Sequence, residues 1–256
     1  MKHRIKAIVL TWDRHRVITE HMIGQYARLW PDHPFVFRIP FQELAAANSA
    51  RENYIHTPPD IKATVLQLIG DLDDEEWIYW CADDKYPIRL VTEKFTQLFS
   101  YVREQSNISG LLCCRCRVTL DRPDLSILPY EQTTPAGDML LERRKWYQIW
   151  IHQFLRVKVL RYFFTNMPVG VSNAKVMDEL KNEIPKPDEI RLFVTKENYA
   201  IFGESTQRGA ITANCYRSIR QSGLKLPEWF SKSNGKYVSM GQLPDVSRWS
   251  KVTKVF

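Results

Sequence analysis

The stretch Trp77-Ile78-Tyr79-Trp80-Cys81-Ala82-Asp83-Asp84-Lys85 changes character abruptly at its end. Residues 77–82 are apolar or aromatic without polar alternation, which predicts a strand buried on both faces, as in a parallel sheet. On one side stands the acidic turn Asp71-Leu72-Asp73-Asp74-Glu75-Glu76, and on the other two adjacent carboxylates. Ligands of open parallel sheets bind beyond the carboxyl ends of the strands. Asp83 and Asp84 therefore fall at the ligand edge. Neighbouring carboxylates repel each other, so they persist most readily around a bound cation.

Outward from this strand, the chain alternates. Residues 5–10 read as a first strand, ending at Thr11-Trp12-Asp13-Arg14. Val17, Ile18, Met22, Tyr26, Leu29 and Trp30 recur near a helical period, and Pro31-Asp32-His33-Pro34 stops them. Residues 35–40 read as a second strand and 41–58 as an irregular connection. Asp60 is placed to cap a helix carrying Ile61, Val65, Leu66 and Ile69 on one face. A further helix is expected from about Val91 to Arg103, and a strand over 110–118. Such alternation predicts an α/β fold.

Beyond Arg122 the pattern weakens. Residues 123–138 read as a long loop and 143–164 as a dense aromatic and basic segment. A helix is expected near 173–182, a strand near 191–195, a glycine-flanked turn at 203–209 and a helix at 210–222. The last thirty or so residues read as a tail or edge appendage. Residues 1–122 thus read as a regular α/β half and 123–256 as a less regular half, expected to make one continuous domain.

The layout of residues 5–118, with the Thr11-Trp12-Asp13-Arg14 loop and the acidic end of the third strand, resembles the GT-A glycosyltransferases. Their nucleotide-binding domain carries a short acidic motif, usually D-x-D, at the end of a central strand. The motif here departs from that form, with Ala82 where the first acid would stand if Asp84 is the last. The resemblance implies a Rossmann-type mixed sheet flanked by helices and a nucleoside-diphosphate sugar as donor. It implies Mn²⁺ or Mg²⁺ at Asp83 and Asp84. Thr11, Asp13, Arg14, Asp83, Lys85 and Arg208 are the expected donor-binding residues; the implied acceptor is a glycan, a lipid-linked or a small molecule. The structural alternative for Asp83-Asp84 is a solvated turn, and for Arg14 a surface arginine at a helix start.

An inverting transfer also needs a base near the acceptor hydroxyl. Glu204, in its glycine-flanked turn, is the first candidate, although it can equally cap the helix that follows. Asp138, after Pro135-Ala136-Gly137 in a loop long enough for a lid, is the second. His152 reads as a packed histidine.

Composition narrows the classes. Net charge is +7, but residues 1–130 hold 16 basic against 17 acidic side chains and residues 131–256 hold 20 against 12. The second half is therefore the part suited to an anionic partner. Its segment Arg143–Arg161 suits peripheral contact with an anionic membrane, stacking of its aromatics on sugars or bases, or a core element with snorkelling cations. A nucleic-acid-binding role is disfavoured by the want of helix-turn-helix or RNP-like patterns. A sugar-phosphate nucleotidyltransferase is the enzymatic alternative, though it would carry a glycine-rich basic loop after the first strand, and residues 11–16 contain no glycine. G-x-G-x-x-G, P-loop and H-E-x-x-H motifs are absent from the sequence. The odd cysteine count and the apolar setting of Cys113, Cys114 and Cys116 favour buried thiols in a reducing compartment. No apolar run approaches the ~20 residues of a membrane helix, and the opening residues read as a strand rather than a leader. The expected location is cytoplasmic.

Overall fold

A computed structural model describes residues 4–115, 123–168, 170–171, 174–207 and 210–226. Its core is a nine-stranded mixed sheet flanked by helices. The strands are β1 (Ile5–Leu10), β2 (Phe35–Phe41), β3 (Glu52–His56), β4 (Trp77–Ala82), β6 (Gly110–Leu112), β7 (Ile127–Thr133), β8 (Met139–Arg143), β9 (Gln153–Arg156) and β10 (Leu192–Thr195). Their order is β3-β2-β1-β4-β9-β6-β10-β8-β7. Strands β3, β2, β1 and β4 run parallel. β9 is antiparallel to both of its neighbours, β4 and β6. β5 (Lys85–Leu90) and β11 (Ala200–Glu204) form a separate antiparallel pair.

The expected double burial of the central strand is present: every residue of β4 is buried. Pleating sends alternate side chains to two cores. Ala7, Val9, Tyr79 and Cys81 meet the helices α1 (Arg16–Leu29) and α3 (Thr92–Arg103) through Met22, Tyr26, Phe95 and Leu98. Ile8, Ile78 and Trp80 face the other way, toward α2 (Ile61–Leu68) and α5 (Val157–Asn166) through Val65, Leu68, Leu160 and Phe164. Asp60 caps α2 as expected, its carboxylate accepting the Ala63 N–H at 2.7 Å.

Three expectations differ. The connection 41–58 contains β3, which pairs with β2 along residues 37–41. Its side chains are half-buried or exposed, so no apolar run announces it. The loop expected over 123–138 contains the short helix α4 (Pro123–Ser126) and the edge strand β7, whose central residues are exposed and include Pro129. Proline is tolerated at such an edge. The strand expected over 110–118 is β6, three residues long; residues 116–122 lie outside those described. The helices near 173–182 and 210–222 are α6 (Ala174–Leu180) and α7 (Ala213–Gln221). The tail from 227 onward also lies outside the described residues.

The aromatic-basic segment becomes part of the second core. Trp146 is fully buried and donates its indole N–H to the Ile184 carbonyl at 2.9 Å. Lys158 and Arg161 reach the acidic turn, pairing with Glu75 at 2.7 Å and Asp74 at 2.6 Å. Arg156 donates to the carbonyls of Ile108, Glu75 and Gln105. Snorkelling around a core is thus the form these cations take. Among the described residues no helix is long and apolar enough to cross a membrane. Cys81, Cys113 and Cys215 are buried free thiols whose burial pushes them up, and Cys114 is buried as well.

Candidate active site

β4 stops at the carboxyl edge of the sheet, where the Asp83 N–H still bonds the Leu10 carbonyl at 3.0 Å. That bond brings the end of β1 against the acidic doublet. Asp83 turns inward. Its Oδ2 accepts Thr11 Oγ1 at 2.9 Å and lies 2.7 Å from His15 Nδ1. Thr11 Oγ1 in turn lies 2.7 Å from Thr19 Oγ1 of α1. A solvated turn is therefore not what the Asp83 side chain makes; it is 12% exposed and engaged by the side chains of Thr11 and His15.

Asp84 turns outward, with 44% of its side chain exposed. Its Oδ2 accepts the Lys85 ammonium at 2.6 Å. Lys85 is itself buried, at the head of β5 directly opposite Glu204 of β11. Burial works against its charge, yet Asp84, Glu204 and Asp83 together hold it above the ordinary lysine value. Gly203 makes this approach possible: a Cβ there would stand 2.9 Å from the Tyr86 ring. Ser205 closes the loop from the other side, its hydroxyl donating to the Asp83 carbonyl at 2.6 Å and its N–H to the Asp84 carbonyl at 2.8 Å. Glu204 is thus not a helix cap; the cap of α7 is Thr212, whose hydroxyl accepts the Cys215 N–H and donates to the Glu204 carbonyl.

A buried chain supports the end of β4 from beneath. His152 Nε2 lies 2.8 Å from the Ala82 carbonyl and Nδ1 2.7 Å from Tyr26 Oη, which bonds Tyr79 Oη at 3.0 Å. Burial drives the His152 pKa down to about 4, against the pull of the Ala82 carbonyl and Asp84. A neutral ring here donates from Nε2 and accepts at Nδ1. His152 is packed, as its sequence setting suggests, and it fixes the residue before the doublet.

The other expected residues divide. Asp13 Oδ2 accepts the N–H groups of Gln42, Glu43 and Leu44, and Oδ1 the Arg16 guanidinium. Burial opposes its ionisation, but these bonds prevail and lower its pKa. It anchors the loop after β2, so its carboxylate is committed to the backbone. Arg14 is exposed on the turn beside it. Asp138 stands at the start of β8, four strands from β4, roughly 19 Å across the sheet at the usual spacing. Lys94 Nζ meets both of its carboxylate oxygens at 2.9 Å, and Tyr199 also donates to it. Burial raises its pKa, yet the Tyr199 and Lys94 bonds outweigh it and leave the carboxyl lowered. It is a buried, paired group rather than a loop residue free to move. Arg208 lies outside the described residues.

The structure thus brings together Thr11, Asp83, Asp84, Lys85 and Glu204, and adds His15, Thr19 and Ser205, which the sequence did not single out. Serine and threonine carry no signal at this distance in sequence. His15, four residues past Thr11 in a turn rich in cations, passes as solvated surface.

The donor set can be weighed against a divalent cation. Asp84 Oδ1 is buried with no hydrogen-bond partner among the described residues. An orphaned carboxylate oxygen at a ligand edge fits Mg²⁺ or Mn²⁺, ions usually held by one or two carboxylates with substrate phosphates. No group of three His, Cys, Asp or Glu side chains among the described residues forms a cage. Asp84 is the residue that would hold such an ion.

No family model matches the chain, and no curated protein does. Solved structures do. UDP-glucose pyrophosphorylase in complex with UDP-glucose superposes with a TM-score of 0.50 at 7% identity, over 86% of this chain and 97% of that one. The 4-diphosphocytidyl-2C-methyl-D-erythritol synthase of Anaerococcus prevotii gives 0.46 at 7%, over 87% and 97%. The galactosyltransferase LgtC with donor and acceptor sugar analogues gives 0.41 at 10%, over 98% and 96%. The chain has a GT-A-like fold, a mixed α/β sheet flanked by helices.

Proposed function

We propose that this chain is a transferase that binds a nucleoside-diphosphate sugar at the carboxyl edge of β4 and passes the sugar to an acceptor hydroxyl. The observation that carries the reading is the convergence of Asp83-Asp84-Lys85 with the β1 loop on one side and Glu204-Ser205 on the other. Asp84 offers a carboxylate oxygen with no hydrogen-bond partner among the described residues, and Lys85 a buried ammonium beside it. A Mg²⁺ or Mn²⁺ ion bound at Asp84 would offset the charge that develops on the departing diphosphate. Glu204 stands beside Lys85 with its side chain half-buried. A carboxylate in that position can take the acceptor's proton as its oxygen attacks the sugar carbon. The acceptor is a glycan, a lipid-linked molecule or a small molecule.

Nucleotidyl transfer to a sugar phosphate is the rival on the same fold. The β1 loop speaks against it, because Asp13 and Arg16 tie that loop to residues 42–44 instead of leaving a glycine-rich run to wrap a triphosphate. A thermal-shift panel of nucleoside di- and triphosphates and nucleotide sugars, with and without Mn²⁺, tests donor binding through mass action. Product analysis then separates the two: glycosyl transfer releases a nucleoside diphosphate, nucleotidyl transfer releases pyrophosphate. Pyrophosphate release from a triphosphate and a sugar phosphate would overturn the glycosyltransferase reading.

A further inference from the structure

β4 outlasts one of its two neighbours. Its pairing with β9 ends at Trp80 and Gln153, whereas its pairing with β1 runs on to Leu10 and Ala82. Along an extended strand the N–H and C=O of one residue point to one side and those of the next residue to the other. Asp83 turns its N–H to β1, so the Ala82 carbonyl points to the side where β9 has already ended. A buried carbonyl there needs a donor. His152 supplies it, with Nε2 standing 2.8 Å from the Ala82 oxygen. The peptide unit between Ala82 and Asp83 is thus clamped at both edges, by the Leu10 carbonyl at 3.0 Å on one and by His152 on the other.

The ring that makes this clamp is itself held on every side, with 1% of the residue exposed. Nδ1 lies 2.7 Å from Tyr26 Oη, which bonds Tyr79 Oη of β4 at 3.0 Å. The ring stacks on that of Tyr26 at 5.9 Å and 21°, and meets the Phe202 ring of β11 at 4.9 Å and 56°. Ala82 stands two residues before Asp84, and Phe202 two residues before Glu204. One buried side chain therefore touches both strands that lead into the candidate site.

We propose that His152 is a positioning residue for the donor site: it joins the Ala82 carbonyl to the Phe202 ring and so aims the acidic doublet from a fixed seat on β11. Resting on the donor-binding reading above, this gives His152 a task beyond packing. It touches neither cation nor diphosphate and acts through the Ala82–Asp83 peptide. A turn of that peptide would swing both carboxylates that follow it, so the clamp places them before a ligand arrives. A neutral imidazole suits the position, because one ring nitrogen donates to the carbonyl while the other accepts from Tyr26.

Calorimetry tests the assignment. UDP, GDP, CDP and ADP are titrated in Mn²⁺ into the unaltered chain and into His152→Gln, His152→Asn, His152→Phe and Phe202→Leu, and thermal melting confirms that each variant is folded. The glutamine amide reaches the place of Nε2 and keeps the bond to Ala82. Asparagine is too short for that bond, and phenylalanine keeps the ring packing without a donor. Asparagine retains a partner for Tyr26, so it serves if the phenylalanine variant does not fold. Diphosphate affinity should fall roughly tenfold in the asparagine and phenylalanine variants, the range of one lost buried hydrogen bond, and stay within about threefold in the glutamine variant. Phe202→Leu should also weaken binding, and His152→Phe/Phe202→Leu should lose little more than His152→Phe alone, since both act through one contact. A histidine that only packs would lower Tm in every variant and leave the affinity of the folded protein equal; that outcome overturns the assignment. So does a glutamine variant as weak as the other two, and in both cases the donor reading stands. If the unaltered chain binds none of the four diphosphates, the donor reading itself falls and takes the role of His152 with it.

Discussion

Ser205 donates its hydroxyl to the carbonyl of Asp83 at 2.6 Å, across 122 residues of chain. The pair joins the end of β4, in the first half of the chain, to the end of β11, beside Glu204. Ser205 is fully buried, and its N–H bonds the next carbonyl, that of Asp84. The relative placing of the acidic doublet and Glu204 therefore depends on this junction. Ser205→Ala removes the side-chain bond and leaves the backbone bond. The expected loss is about 1 kcal/mol of stability, a lowering of Tm by roughly 2–4 °C for a chain of this size. Calorimetric melting checks it, and a drop confined to Tm with unaltered nucleotide affinity would show that the backbone bond suffices.

Asp84→Asn tests the outward carboxylate. It keeps the shape, removes half of the Lys85 ion pair and takes the charge from the orphaned oxygen. Mn²⁺-dependent binding of a nucleoside diphosphate should weaken roughly tenfold or more, equivalent to at least about 1.4 kcal/mol. Binding measured in EDTA should change less. Equal affinity for Mn²⁺-diphosphate in the variant and the unaltered chain would remove Asp84 from the role of metal ligand.

Glu204→Gln and Asp138→Asn should part company. The first removes a base beside Lys85 and should lower kcat by roughly two to four orders of magnitude with little change in donor affinity. The second breaks a buried pair with Lys94 and Tyr199, at a cost on the order of 3 kcal/mol in stability, while turnover of the remaining folded enzyme stays close to normal. Product formation under saturating donor, normalised to folded protein, distinguishes them. A dead Asp138→Asn beside an active Glu204→Gln would move the base to β8.

Acid should destabilise the fold in two separate windows. Burial holds His152, His21 and His33 at about 4 against an ordinary value of 6.5. Between those values the unfolded chain binds protons that the folded chain refuses, so stability is greatest above pH 6.5 and falls as pH drops toward 4. His152 alone accounts for up to about 3 kcal/mol of this loss. Asp13, Asp71 and Asp138 have lowered pKa values, so their contribution is full above the ordinary carboxylate value of 3.8 and is lost only below it. Melting at intervals from pH 7.5 to 4.5 should show the first window, and His152→Gln should flatten its slope. A flat profile over that range would mean the three rings are not held neutral.

The sequence alone sets the parallel half of the sheet. Residues 5–10, 35–40 and 77–82 are apolar runs whose burial on both faces leaves no other place for them, and Asp60, Pro31 and Pro34 mark helix ends by local geometry alone. It also determined that a pair of carboxylates closes the central strand, because a strand's end is a local event. The tertiary structure alone decided how those carboxylates are used. Asp83 faces His15 and Thr11 because β1 and β4 pair in the register Leu10–Ala82, and Asp84 faces Lys85 because β5 folds back to meet β11. Neither pairing leaves a periodic trace, since each joins strands scores of positions apart in the chain. β3 and β7 were hidden for a related reason: edge strands with exposed faces are specified by the backbone bonds of a neighbour and not by an apolar pattern of their own. Asp138 shows the converse. Its loop-like surroundings look mobile in sequence, and only packing reveals that Lys94 and Tyr199 hold it fast. Local chemistry fixes which residues stand at the edge of the sheet; the long-range pairing of strands, set by the whole core, fixes which of them meet.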